Sequence, residues 1–163
     1  MAKIQSSKIT PFLWFDGNAE EAMNYYVSVF KNSKVINVNP AKIDTPAVKE
    51  GQVLTCTFEL EGHEFIALNG GPLYKFNPAV SFFVSCDSQA EVDYYWEKLL
   101  EGGKPNACGW LQDKFGVSWQ IVPKVLWDLL HDKDAEKSRK VMQAMMKMVK
   151  LDTAALQAAY EGA

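Results

Sequence analysis

The chain has 163 residues, 48% hydrophobic and 23% charged, with 17 basic against 20 acidic side chains for a net charge of −3. That size suits one domain or two small halves sharing an interface, and aromatics at 12% are enough for a sizeable core or a lined cavity. Nucleic-acid binding is not expected: the richest basic stretch, 133–150, is interleaved with Met and acidic residues like the solvated face of a helix.

No apolar run long enough to span a bilayer occurs, and the opening MAKIQSSKIT lacks the apolar core of an export signal. The three cysteines, Cys56, Cys86 and Cys108, never form CxxC. Reduced thiols in a cytoplasmic protein are therefore expected, without disulfides or a zinc knuckle.

Ile9 to Phe15 is a short apolar run stopped by Asp16-Gly17-Asn18, which reads as a buried strand and a turn. Ala22, Tyr25, Tyr26, Val29 and Phe30 then fall on one face of a helix, with Asn18 as its expected N-cap. Val35 to Val38 suits a second strand. From Gln52 to Leu60, Thr55 and Thr57 alternate with Cys56 and Phe58, the pattern of a half-buried strand. Glu61-Gly62-His63 turns it into a hairpin with Glu64 to Leu68, and Asn69-Gly70-Gly71-Pro72 closes the unit.

The order then restarts. Ala79 to Cys86 is a strand, and a helix follows with Val92, Tyr95, Trp96, Leu99 and Leu100 on one face. Trp110-Leu111, the turn Asp113 to Gly116 and a strand Val117 to Val122 complete a second strand–helix–hairpin unit. Three helical stretches follow Pro123, over Val125 to Leu130, Ala135 to Lys150 and Thr153 to Tyr160, with Asp134 and Asp152 as N-caps.

The strings ITPFLWFDGNAEEAMNYY, FIALNGGP, SFFVSCDSQAEVDYYWEKL, GGKPNACGWLQDKFGVSWQIVP and VMQAMMKMVKLD resemble PhnB-like proteins. These are also grouped as a 3-demethylubiquinone-9 3-methyltransferase domain family, within the vicinal oxygen chelate (glyoxalase/bleomycin-resistance/dioxygenase) superfamily. The resemblance covers nearly the whole chain, and WLQDKFGVSWQIVP is its most specific stretch.

It implies one α+β domain over 1–163, with βαβββ modules at 8–72 and 78–123 and a helical tail at 124–163. Two curved sheets would pair into an open cup, and the protein would be a homodimer. The second module departs from the plan, since six residues between Gly103 and Trp110 leave no room for a full extra strand, and one rim of the cup is expected to be short.

Many superfamily members hold a divalent metal on the first and last strands of each half. Carried over by position, this chain offers Thr10 or Pro11, Asn69, Ser81 and Gln120, with no histidine or carboxylate among them. No metal and no cofactor are expected, because zinc, nickel and iron require stronger donors. A methyl donor of nucleotide type is not expected either, for no GxGxxG joins a strand to a helix.

Strand alternation puts Ser81, Phe83 and Ser85 on one face and Ser118, Gln120 and Val122 on another mixed face, both lining the cup, with Trp119 in the core. Phe83 and Trp110 are the expected stacking residues, giving a ligand-binding set of Asn69, Ser81, Phe83, Trp110 and Gln120. Cys56 and Cys86 read as buried structural thiols, His63 and His131 as surface residues, Asp113 as a turn former, and the Met142–Met148 cluster as a helix or subunit seam.

The expected function is metal-independent binding of an unidentified small molecule. The rivals are an enzyme of the same superfamily, a divalent-metal lyase or isomerase or a dioxygenase, or the methyltransferase that the family title implies.

Overall fold

In the computed structural model, which describes residues 8–162, the alternation of FLWF turns Leu13 and Phe15 inward and leaves Phe12 exposed. This strand, β1 (Phe12–Phe15), is shorter than the apolar run suggested. Ile9 is exposed, and Pro11 has no N–H to extend the ladder, although its carbonyl accepts from the Ile66 amide at 3.0 Å.

Helix α1 (Ala19–Val29) and strands β2 (Ser33–Pro40), β3 (Val53–Leu60) and β4 (His63–Asn69) complete the first unit. The sheet order is β1-β4-β3-β2, with β1 parallel to β4 and the other pairs antiparallel. The β3–β4 hairpin turns through Glu61 and Gly62, both at positive φ, as a two-residue turn matched to strand twist requires.

One face of this sheet packs on α1. Tyr26 stacks on Phe58, and Phe58 on Phe65, with Ala22, Met23 and Val29 buried alongside. Each large side chain so buried contributes roughly 1.5–3 kcal/mol.

The chain divides between Phe76 and Asn77 into two compact units. The second repeats the plan with β5 (Ser81–Cys86), α2 (Gln89–Leu100), β6 (Lys104–Pro105), β7 (Trp110–Gln112) and β8 (Ser118–Pro123), in sheet order β5-β8-β7-β6. The doubled βαβββ plan is thus present in full, with one refinement. The rim strand survives as β6, two residues pairing Lys104 with Gln112 and Pro105 with Leu111.

The tail forms α3 (Val125–Leu130), α4 (Ala135–Met145) and α5 (Thr153–Glu161) around a core of Val122, Leu126, Leu129, Val141, Leu151 and Leu156. Asp134 and Asp152 cap α4 and α5 through their carboxylates, as the sequence suggests. Helix α4 ends five residues before Lys150. Its continuation turns to the strand edge beside the short β6, where the Met148 and Val149 carbonyls accept from the Cys108 and Gly109 amides, each at 2.8 Å.

Gln89, at the start of α2, closes the tail with both ends of its amide. Its Nε2 donates to the Leu151 carbonyl at 3.1 Å, and its Oε1 accepts from the Thr153 amide at 2.8 Å. The methionines separate by role: Met145 and Met148 pack on the tail core, whereas Met142 and Met146 are exposed. Among the described residues no helix is long and apolar enough to cross a membrane.

Candidate functional site

In the second unit α2 buries Cys86, Leu111, Trp119 and Ile121 on its side of the sheet. The opposite face carries no helix of the module. The tail covers its Val122 end, and the part left open is built from the alternate residues. Parallel pairing of β5 with β8 aligns Phe83 with Gln120, and antiparallel pairing of β7 with β8 aligns Trp110 with the same Gln120. One row therefore runs Phe83–Gln120–Trp110 across three strands. The adjacent row runs Ser81–Ser118–Gln112. Four of the five residues singled out from sequence share this face.

Lys104 on β6 continues the second row beside Gln112 at the rim. Across β5, β8 and β7 the two rows carry no ionisable side chain, so the chemistry there is hydrogen bonding and stacking. Gln120 donates through Nε2 to the Ser81 hydroxyl at 2.9 Å, which links the rows. Phe83 is 42% exposed, whereas Gln120, Ser81 and Trp110 are half-buried. Ser118 is buried, yet its hydroxyl has no hydrogen-bond partner among the described residues. Buried polar atoms are paired in the great majority of cases, and an orphan costs about 1–3 kcal/mol.

Asn69, the fifth residue, belongs to the first unit and lies on the α1 side of its sheet, in register with the buried Phe15. Its Oδ1 accepts from the Ala19 amide and its Nδ2 donates to the Val53 carbonyl, both at 2.9 Å. Asn18 stands at the N-cap position of α1 but makes no capping bond, so Asn69 supplies that bond from across the sheet.

The uncovered face of the first unit carries Phe12, Trp14, Ile66 and Leu68, with Thr55 and Thr57 beside them on β3. The sequence reading did not place Phe12 and Trp14 there, although the alternation within FLWF contains the signal. Trp14 is held in place: its Nε1 donates to the Gly71 carbonyl at 2.8 Å, and its ring meets Tyr74 edge-on at 4.9 Å. A Cβ on Gly70 would fall inside the Trp14 indole, so the glycine is required by the close approach of the ring.

A family model described as 3-demethylubiquinone-9 3-methyltransferase matches residues 7–122. The PhnB protein from Bacillus cereus is 38% identical over 72% of this chain and 99% of its own, with a TM-score of 0.65. The chain belongs to this PhnB-like family. A Pseudomonas aeruginosa protein at 22% identity, covering 73% of this chain and 98% of its own with a TM-score of 0.60, shares the fold. A glyoxylase/bleomycin resistance protein/dioxygenase domain from Frankia sp. matches at 14% identity and a TM-score of 0.47, over 72% and 91% of the two chains. No curated protein matches the sequence.

A divalent metal on the first and last strands of each half is what the sequence resemblance implies, so the donor set there bears on the chemistry. Among the described residues no three His, Cys, Asp or Glu side chains converge. The uncovered positions on the first and last strands are Phe12, Trp14, Ile66 and Leu68 in one unit, and Ser81, Phe83, Ser118 and Gln120 in the other. These residues do not fit a tightly held divalent transition metal.

Neither strand-to-helix joint is built for a phosphate. The Ala19 amide is taken by Asn69. At α2, the Ser88 hydroxyl accepts from the Glu91 amide at 3.2 Å, while the Glu91 carboxylate accepts from the amide of Asp87, one residue before the N-cap, at 2.7 Å.

The two buried thiols are equally quiet. Burial, with the Glu20 charge adding to it, pushes Cys56 up to about 11. Burial first and then the Glu91 charge push Cys86 up to about 12. Asp113 is buried, accepting from the Phe115 and Val117 amides at 2.9 and 3.0 Å and from the Trp119 indole at 2.9 Å. It is the hub of the 113–117 turn and fixes Trp119 in the core.

Proposed function

We propose that this chain binds a small organic molecule on the uncovered face of the β5–β8–β7 sheet and holds it without a metal. The molecule stacks on Phe83 and Trp110, and the Ser81–Gln120 pair supplies its directional hydrogen bonds. The observation that carries this reading is the Phe83–Gln120–Trp110 row, in which two aromatic side chains flank an amide tied to the Ser81 hydroxyl. A neutral amide–hydroxyl pair between two aromatic side chains is suited to a carbonyl, amide or hydroxyl on an uncharged, flat part of a ligand.

Native mass spectrometry of gently purified protein tests it. The wild type is expected to carry a small molecule, and Gln120→Ala and Trp110→Ala to reduce its occupancy about tenfold, the effect of losing one ordinary contact. Undiminished occupancy in both variants would place the ligand elsewhere. A stoichiometric divalent metal surviving dialysis would overturn the metal-free reading.

A further inference from the structure

The tail lies beyond the 7–122 span of the family match, and it carries an aromatic strip that begins at the proposed binding face. The Phe83 ring lies 5.9 Å from Trp127 on α3, and Trp127 stacks on His131 at 5.3 Å and 29°. His131 is fixed there by Nδ1, 2.8 Å from the Trp127 carbonyl oxygen. Trp127 is nevertheless 50% exposed, a large apolar surface that the fold leaves open.

Beside the strip is an open hollow of about 630 Å³ lined by Trp127, Asp128, His131, Asp132 and Lys133. Asp128 lies on α3, and Asp132 lies just beyond the helix's C-cap His131, so the two carboxylates border the same hollow. Asp128 has no partner among the described residues, and Lys133 forms no ion pair with either carboxylate. Asp132 stays ionised well below the usual carboxylate range, chiefly through the Asp134 amide and then the Tyr160 hydroxyl.

We infer that this strip and hollow form a subsite for a flat organic cation, seated on the Trp127 indole with its positive charge toward Asp128 and Asp132. Indole is the best of the aromatic faces for a cation, and here its charge complement is built in. The subsite extends the sheet face and rests on that reading only through the shared edge at Phe83. It assigns the ligand's class: a molecule with a neutral hydrogen-bonding part on the Gln120 row and a cationic aromatic part over α3.

The experiment is isothermal titration with N-methylacridinium, a flat monocation, and with neutral acridine at pH 8. The cation is expected to saturate at one per chain, with acridine binding about tenfold more weakly. Trp127→Ala should weaken the cation about tenfold and Asp128→Asn about two- to fivefold, and Trp127→Phe should keep most of the affinity. Equal binding of the cation and the neutral compound, or an unchanged affinity in Trp127→Ala, would overturn the subsite. So would a Trp127→Ala change in oligomeric mass with no change in probe binding, since a second copy would then cover the strip. If the probe fails while the co-purifying molecule still depends on Gln120 and Trp110, the subsite falls alone. Probe binding that depends on Trp127, together with ligand occupancy indifferent to Gln120 and Trp110, sinks the sheet reading alone.

Discussion

Asn69 reaches the amide of Ala19 at 2.9 Å and so caps a helix fifty positions earlier in the chain. The adjacent Asn18, which has the right side chain and the right position, does not cap it. Because Asn69 also donates to the Val53 carbonyl, Asn69→Ala leaves a buried N–H and a carbonyl without partners. The expected loss is about 2–3 kcal/mol, against less than about 0.5 kcal/mol for Asn18→Ala. Urea denaturation of the two variants side by side checks this; equal costs would mean that the cap is local after all.

Asn69 also marks the boundary of what the sequence could tell. Period-two alternation assigned the faces of β3, β5 and β8 correctly, because each strand shows one apolar and one mixed face. It also put Trp119 inside and Phe83 outside. Carrying the superfamily's end-of-strand position onto Asn69 ignored parity: Phe65, Ala67 and Asn69 share the α1 side, and Ile66 and Leu68 face away. A one-residue choice flips a side chain across the sheet. The rim strand β6 and the early end of α4 were invisible for another reason. Both are set by backbone pairing, Lys104 with Gln112 across a long turn and Cys108 with the distant Met148, which local propensity does not encode. The aromatic strip was missed because Trp127 and His131 sit on a short helix whose open face shows only once Phe83 is placed beside it.

Gly70 and Trp14 should behave as a coupled pair. A methyl at Gly70 must displace the indole, which its Nε1 bond to Gly71 and its edge contact with Tyr74 hold in place. Gly70→Ala is expected to cost about 1–3 kcal/mol, the usual range for overpacking. In a Trp14→Leu background the obstruction is gone and the same substitution should cost well under half as much. Identical costs in the two backgrounds, measured as a double-mutant cycle by chemical denaturation, would show that the ring is free to move aside.

The thiols give a pH signature. A thiol in the unfolded chain titrates at its ordinary 9.0, and burial raises Cys56 to about 11 and Cys86 to about 12. Above pH 9 the unfolded chain loses protons that the folded chain keeps. The stability these two residues contribute is therefore complete below pH 9 and declines as pH rises from there through 11 and 12. Denaturation midpoints should accordingly fall between pH 8 and pH 10. At pH 8 a thiol-specific reagent should label Cys108, the half-buried one, quickly in the folded protein, and the other two only on unfolding. Rapid labelling of all three in the native state would contradict the burial.

Ser118 separates a structural role from a ligand role most sharply. Its hydroxyl makes no bond within the described residues, so Ser118→Ala removes an unpaired buried group and breaks nothing. Stability is expected to be unchanged or slightly raised, by up to about 1 kcal/mol. Ligand occupancy in native mass spectrometry should nevertheless fall, because a molecule seated on the Gln120 row is expected to part the side chains over this hydroxyl and take its hydrogen bond. Ser118→Thr, which keeps the hydroxyl, should retain more of that occupancy than the alanine variant if the added methyl fits beside Gln112 and Ser81. A loss of stability without any loss of occupancy would identify the hydroxyl as a structural group and move the binding face away from the Gln120 row.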